Sequence, residues 1–253
     1  MSFDVVVLGS AGTHPGPGRV CSGYLFRTDR TRVVVDCGNG STSNLYRILP
    51  LEQLDAVILT HRHHDHCADL IGLYYALRFH PDGERSIDVL APPGTAPFLA
   101  QMLSDDAAQR FHEVCCFRDV AHGDHVTIGD LDFTFFDSPH AVPSVAVRAE
   151  HRGGVATYSG DSGGGPSLQE AARDADLFLC EATWTGDPEQ YPPELHLTAS
   201  EAGATAQAAG VRQLVLTHLY PTNDRERALS EAQERFDGSV ELADDLMVYR
   251  VGG

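Results

Sequence analysis

The sequence predicts an α/β (α+β) protein, a four-layer αββα sandwich formed by a single domain over residues 1–253. Three observations carry that expectation. The 253-residue chain reads as two halves, each running from apolar β-rich runs into mixed strand and helix, an order that suits two sheets packed face to face with helices outside. Its hydrophobic content of 42% is ample for a core at a length near the upper limit for one domain. No low-complexity tract, linker or short-period repeat divides it.

The elements follow in order. Runs rich in Val, Ile and Leu, bounded by Gly, Pro and Asp, predict strands over Phe3–Leu8, Gly23–Arg27 and Arg32–Asp36. A short helix near Ser41–Leu49 precedes a strand at Asp55–Leu59. The next segment, Asp65–Phe79, reads as a helix with Leu70, Leu73, Tyr74 and Leu77 on one face. Further strands are predicted near Ile87–Ala91, Phe111–Arg118, Leu131–Phe136, Val145–Glu150, Val155–Ser159 and Leu177–Cys180. A helix at Ala199–Ala209, a strand at Gln213–Thr217, a helix near Asp224–Phe236 and a strand at Leu246–Arg250 complete the chain.

Composition narrows the function classes. The start, MSFDVVVLGS, lacks the basic region and apolar run of a secretory signal, and no stretch approaches the ~18 apolar residues of a membrane helix, so a cytoplasmic protein is expected. Cys21, Cys37, Cys67, Cys115, Cys116 and Cys180 form no C-x-x-C pair and are expected as buried thiols without special chemistry. The net charge is −18, and all 18 basic residues are arginine. With no lysine there is no Schiff-base or P-loop lysine, and the acidic balance disfavours long nucleic acids, which need clustered positive charge. The Gly-rich loop Gly9–Gly18 lacks a Gly-Lys-Ser/Thr ending and is expected to line the mouth of a site, with His14 in it solvated. Ser162 sits in no Gly-x-Ser-x-Gly elbow, which argues against a serine nucleophile.

The chemistry concentrates in Thr60-His61-Arg62-His63-His64-Asp65-His66, placed between a strand and a helix. Imidazole nitrogen and carboxylate oxygen both bind zinc at about 2.0–2.2 Å. Such a corner can aim His61 and His63 at one metal while Asp65 and His66 face a second. Ser138-Pro139-His140, Ser159-Gly160-Asp161 and Thr217-His218 each put a further candidate ligand at the end of a predicted strand. Taken alone, His140 reads as a packed histidine and Asp161 as a turn residue; alongside the first cluster they read as ligands.

Thr-His-x-His-x-Asp-His, then a histidine, Gly-Asp-Ser and a final histidine resemble the metallo-β-lactamase superfamily over nearly the whole chain. The resemblance implies the metallo-β-lactamase fold. It also implies two zinc ions, one on His61, His63 and His140, the other on Asp65, His66 and His218, with Asp161 bridging. His/Asp ligands suit manganese or iron as well. No cysteine stands at the bridging position, so antibiotic hydrolysis is not expected. Two Zn²⁺ ions, two aspartates and a shared hydroxide leave about one net positive charge, which favours an anionic, phosphate-containing small substrate.

Two more segments separate branches of the superfamily. Cys180-Glu181-Ala182-Thr183-Trp184 and His196-Leu197-Thr198-Ala199 resemble the tRNA 3′-processing ribonuclease (RNase Z) branch and its phosphodiesterase relatives. Thr198 and Glu201 fit a helix capping box, which leaves His196 just before the helix and free to face the site. His196 is then expected as general acid oriented by Glu181, with Asp65 orienting the water or taking its proton. RNase Z carries a long tRNA-gripping arm between the positions of His140 and Asp161. Here 21 positions separate them, enough for two strands and a turn, so the chain looks like the arm-less YhfI-like group of bacterial hydrolases. A phosphodiesterase acting on a small or nucleotide-like substrate is the leading expectation. A thioester or lactone hydrolase of the same fold, a tRNA 3′-processing endoribonuclease and a non-catalytic binding module are the alternatives. A homodimer is expected from the resemblance and from the helix at Asp65–Phe79, where Ile71, Tyr75 and Phe79 add a second apolar face.

Overall fold

A computed structural model describes residues 3–252. Its strands are β1 (Phe3–Gly9), β2 (Gly23–Arg27), β3 (Arg32–Cys37), β4 (Ala56–Ile58), β5 (Ile87–Ala91), β6 (Cys115–Asp119), β7 (His125–Ile128), β8 (Leu131–Asp137), β9 (Val145–His151), β10 (Gly154–Tyr158), β11 (Leu177–Glu181), β12 (Gln213–Thr217), β13 (Ser239–Leu242) and β14 (Val248–Val251). They form two seven-stranded sheets, in the orders β14-β1-β2-β3-β4-β5-β6 and β13-β12-β11-β10-β9-β8-β7. Both are mixed: β1 to β3 pair antiparallel and β3 to β6 parallel, while β7 to β10 pair antiparallel and β10 to β13 parallel.

The helices are α1 (Ser41–Leu45), α2 (His64–Cys67), α3 (Asp69–Arg78), α4 (Thr95–Ala100), α5 (Asp105–Val114), α6 (Pro166–Ala171), α7 (Ala199–Ala209) and α8 (Arg225–Gln233). Three apolar layers hold four structural ones together. Val5 and Val7 of β1 face Phe133, Phe135 and Val147 between the sheets. Val6 and Leu8 point the other way, onto Leu70, Leu73 and Tyr74 of α3. On the far side, Phe178, Leu214 and Leu216 meet Leu168, Ala202, Ala206 and Ala228 of the other helices. Because both faces of β1 are covered, it is a continuous apolar run rather than an alternating one. The alanines of α7 and α8 let those helices lie close to each other and to the sheet. This is the αββα sandwich expected from the sequence.

Several local expectations are corrected. The strand expected at Phe111–Arg118 begins at Cys115, because Ala107, Phe111 and Val114 recur at helical spacing and bury one face of α5. The helix expected at Ser41–Leu49 ends at Leu45, and α4, α6, β7 and β13 were not anticipated. Cys116 is exposed, unlike the other five cysteines, since it points outward from β6. The 140–161 segment holds β9, β10 and a tight turn at Arg152-Gly153, with no arm. Among the described residues, no helix is long and apolar enough to cross a membrane.

Candidate metal centre

The site lies where strands from both sheets end. Leaving β4, the chain passes through Thr60 to His61 and His63, and α2 adds Asp65 and His66. His140 follows β8, Asp161 follows β10, Glu181 ends β11 and His218 follows β12. The sheets are joined here by Val145 N–H donating to the Thr60 carbonyl at 3.0 Å. Two close approaches require glycine. A Cβ on Gly38 would lie 1.9 Å from the Asp65 carbonyl oxygen, and one on Gly12 would lie 2.3 Å from that of His218.

All seven expected ligands come together in two groups sharing one member. The first holds His61, His63, His140 and Asp161, and the second Asp65, His66, Asp161 and His218. Asp161 Oδ2 lies 3.6 Å from both His61 Nε2 and His140 Nε2, while Oδ1 lies 3.1 Å from His66 Nε2 and 3.3 Å from His218 Nε2. One carboxylate thus offers an oxygen to each group.

The hydrogen bonds behind the ring explain which nitrogens face inward. His66 Nδ1 donates to Asp36 at 2.7 Å and His140 Nδ1 to the Leu195 carbonyl at 2.7 Å. Thr60 Oγ1 donates to Asp36 and so accepts from His61 Nδ1 at 3.0 Å. Thr183 Oγ1 donates to Glu181 and so accepts from His218 Nδ1 at 2.8 Å. In its neutral form each of these four histidines therefore presents a bare Nε2, held in tautomer and orientation by its outer partner. His63 presents Nδ1, 3.0 Å from His61 Nε2 and 3.1 Å from His140 Nε2. His66 Nε2 and His218 Nε2 are 3.1 Å apart.

Those separations test whether cations fit. Ligands bound tetrahedrally at about 2.0–2.2 Å stand about 3.3–3.6 Å from one another. The observed inward contacts, 3.0–3.6 Å, are of that size. Lone pairs aimed at lone pairs repel unless positive charge lies between them. Asp161 Oδ1 is moreover buried without a hydrogen-bond donor. The residues present fit a pair of divalent cations.

Electrostatics agree. Burial, with the His66 charge, pushes His61 well below the usual histidine range, which keeps it a neutral ligand. Burial opposes charge on His66 too, but Asp161, Asp65 and Asp36 outweigh it and hold this imidazole well above the usual range. Burial opposes charge on Asp161, yet His218 and His66 hold it well below the usual carboxylate range. The three carboxylates thus draw onto His66 a positive charge that divalent cations would replace.

Next to these groups lies His196. Its Nδ1 is 2.9 Å from Glu181 Oε1 and 3.9 Å from Asp161 Oδ2. Burial disfavours its charged form, but the Glu181 carboxylate overcomes this and raises it to about 9. Glu181 is fully committed: Oε1 accepts from Ser162 N–H and His196, and Oε2 from Thr183 N–H and Oγ1. It orients His196 directly and His218 through Thr183. The expected capping box, Thr198 with Glu201, is present and fixes the start of α7 just after His196.

The sequence motifs contain Thr60 and Thr183 without a role for either, and Asp36 and Tyr158 lie outside them. Asp36 is fully buried and takes hydrogen bonds from Thr60 N, Thr60 Oγ1, His66 Nδ1 and Tyr158 Oη. Asp36 and His218 both adopt left-handed backbone, φ 60° and 57°, which costs a non-glycine residue energy and concentrates at functional sites. The only available signal was an aspartate closing the apolar run of β3. The Gly9–Gly18 loop reaches the site through Thr13, whose N–H donates to Asp65 at 2.8 Å, while His14 is exposed and remains outside the two groups. His64 is exposed, with its ring against Phe98.

The family model for the beta-lactamase superfamily domain matches residues 31–219, a span that contains every residue of the two groups. The chain belongs to the beta-lactamase superfamily. Within it, the chain is 38% identical over 245 residues to the uncharacterized protein Rv1339 of Mycobacterium tuberculosis, covering 95% of this chain and 89% of that one. It is 30% identical to "Probable metallo-hydrolase YhfI" of Bacillus subtilis, covering 97% and 98%. The crystal structure of YhfI superposes with a TM-score of 0.87 over 98% of both chains. The ribonuclease Z of Methanopyrus kandleri is 31% identical over 278 residues, 95% of each chain. This superfamily member is a metallo-hydrolase with RNase Z-like relatives.

Proposed function

We propose that the protein is a zinc-dependent phosphodiesterase of the cytoplasm, acting on a small phosphodiester and working as one domain across residues 1–253. In this reading His61, His63, His140 and Asp161 hold one metal, and Asp65, His66, Asp161 and His218 the other. When bound, the metals supply Lewis acidity towards the phosphoryl oxygens and lower the pKa of water. The observation that carries the diester reading is the Glu181–His196 pair, placed 2.9 Å apart beside the shared ligand Asp161.

The residues divide the work. Asp65, fixed by the Thr13 amide, orients the attacking water and takes its proton. His196 has Nδ1 tied to Glu181, which leaves Nε2 to protonate the departing alkoxide. Glu181 stabilises the charged imidazole and sets its direction. Thioester and lactone cleavage share the ligand set, but a thiolate leaves without a proton and so has less use for this second, carboxylate-backed histidine.

The test is a zinc-loaded assay on bis(p-nitrophenyl) phosphate and on an alkyl p-nitrophenyl or dialkyl diester, beside a thioester and a lactone. Diester turnover is expected, with His196→Ala costing about 10²–10⁴-fold on the alkoxide leaving group. The loss should be much smaller for nitrophenolate, which leaves without a proton. Rapid thioester hydrolysis with no diester turnover would overturn the reading. Efficient site-specific cleavage of a precursor tRNA would overturn its restriction to small substrates.

A further inference from the structure

The segment between Glu181 and α7 encloses a pocket of about 580 Å³ that shares His196 with the candidate metal centre. Its walls are Trp184, Tyr191, Pro188, Pro192 and Pro193. The Trp184 and Tyr191 rings stack at 4.5 Å, 8° from parallel, and Trp184 meets the His196 ring edge-on at 5.2 Å. Both aromatic residues are only half-buried, so the pair is not simply core packing.

The pocket is preformed. Tyr191 Oη donates to the Thr185 carbonyl at 2.8 Å, Asn223 Nδ2 donates to the Thr183 carbonyl, and Gly186 N–H donates to Glu231. A Cβ on Gly163, two residues beyond Asp161, would lie 2.2 Å from Glu194 Cα, so the segment rests directly on the ligand loop. Three prolines further restrict the backbone. A wall already ordered before binding loses little entropy when a ligand arrives.

Its chemistry selects the guest. Glu189, Glu194 and Glu201 also line the pocket, and no arginine does. A second phosphate would be repelled, which excludes polyphosphate and an extended nucleic-acid backbone there. A half-buried aromatic pair flanked by prolines favours a flat, uncharged aromatic ring. Because His196 forms the shared wall, that ring belongs to the leaving group.

We propose that this pocket binds the nucleobase of a nucleoside leaving group, with Trp184 and Tyr191 as the stacking platform that sets substrate preference. The proposal rests on the phosphodiesterase reading above. Water adds its oxygen to phosphorus, the P–O bond to the nucleoside breaks, His196 gives that oxygen a proton, and Asp65 takes the proton lost by the water. The products are a nucleoside and a phosphate monoester.

The experiment uses the zinc-loaded protein with two substrates, the methyl diester of adenosine 5′-phosphate and its base-free counterpart, the methyl diester of methyl ribofuranoside 5-phosphate. The readout is the ratio of their kcat/KM values, with adenosine itself detected as product. The wild-type protein should prefer the nucleoside by about tenfold or more, and Trp184→Ala should reduce that ratio about 5- to 150-fold, the range for stacking one base on an aromatic side chain. Tyr191→Ala provides the same comparison should the tryptophan variant fail to fold, with bound zinc as the check on the site. Equal turnover of both substrates, with a ratio unmoved by either variant, would overturn the pocket assignment and leave the phosphodiesterase intact. No turnover of any diester would overturn both.

Discussion

Replacing Asp36 by asparagine should weaken metal binding although Asp36 belongs to neither ligand group. The carboxylate is acceptor-only and serves donors on both oxygens: Thr60 N at 2.7 Å on Oδ1, and His66 Nδ1 at 2.7 Å and Tyr158 Oη at 3.0 Å on Oδ2. Asparagine keeps the shape but turns one of these oxygens into a donor. If the amide nitrogen faces His66, the imidazole must move its proton to Nε2, the atom that faces the second group. If the amide turns over, the buried Thr60 N–H is left without an acceptor, at a cost of about 1–3 kcal/mol. Thr60 also orients His61, so the first group is disturbed in that case. Either way the outer support of the ligands is lost, and losses of this kind weaken metal affinity about 10- to 100-fold, or about 1.4–2.7 kcal/mol.

The assay is zinc competition against a chromophoric chelator at fixed pH, with circular dichroism confirming that the variant is folded. Both macroscopic dissociation constants are read, because Asp36 reaches one group through His66 and the other through Thr60 and His61. Dissociation constants within threefold of wild type in a folded protein would refute the reasoning. They would mean that neither the tautomer of His66 nor the placement of His61 depends on this carboxylate.

Other outcomes follow from the same geometry. His218→Ala removes a ligand from the second group only, so metal analysis should show the loss of one ion and retention of the other; loss of both, or of neither, contradicts the two-group assignment. Free zinc at a hundredfold excess over its dissociation constant should stabilise the chain by about 2.7 kcal/mol per site, raising Tm by about 5–10 °C for a chain of this size. A chelator should reverse that rise in differential scanning calorimetry, and an unchanged Tm would argue against structural occupancy of the site. Tyr75 of α3 and Phe79 just beyond its end are exposed and stack in parallel, so the expected homodimer would use this face. Light scattering at micromolar concentration should give a dimer mass that Tyr75→Glu lowers without releasing metal; a clean monomer for the wild type ends that reading.

What could be read from the sequence, and what could not, follows from how far apart the interacting residues lie. The four apolar strands ahead of residue 60 and the helix α7 were legible because their signals are local: β-branched runs, bounding glycines and a capping box. The ligand cluster from His61 to His66 was legible for the same reason. Residues 111–114 were misread as the start of a strand because Phe111 and Val114 run on into the apolar Cys115-Cys116-Phe117 of β6, and their helical spacing with Ala107 shows only once the buried face of α5 is seen. Asp36, and the role of Thr183, were invisible for a stronger reason. Each pairs with a histidine 30 or 35 positions away, a pairing that exists once the sheets have closed. The fold thus supplies more than a frame for the motif. It delivers to His66, His140 and His218 an acceptor on the outer ring nitrogen from a distant part of the chain, and through Asp36 it turns the neighbouring Thr60 hydroxyl into an acceptor for His61, and so fixes which nitrogen faces inward. The histidine-rich stretch names several of the candidate ligands, but only the assembled sandwich decides that they arrive as lone pairs pointed at common centres.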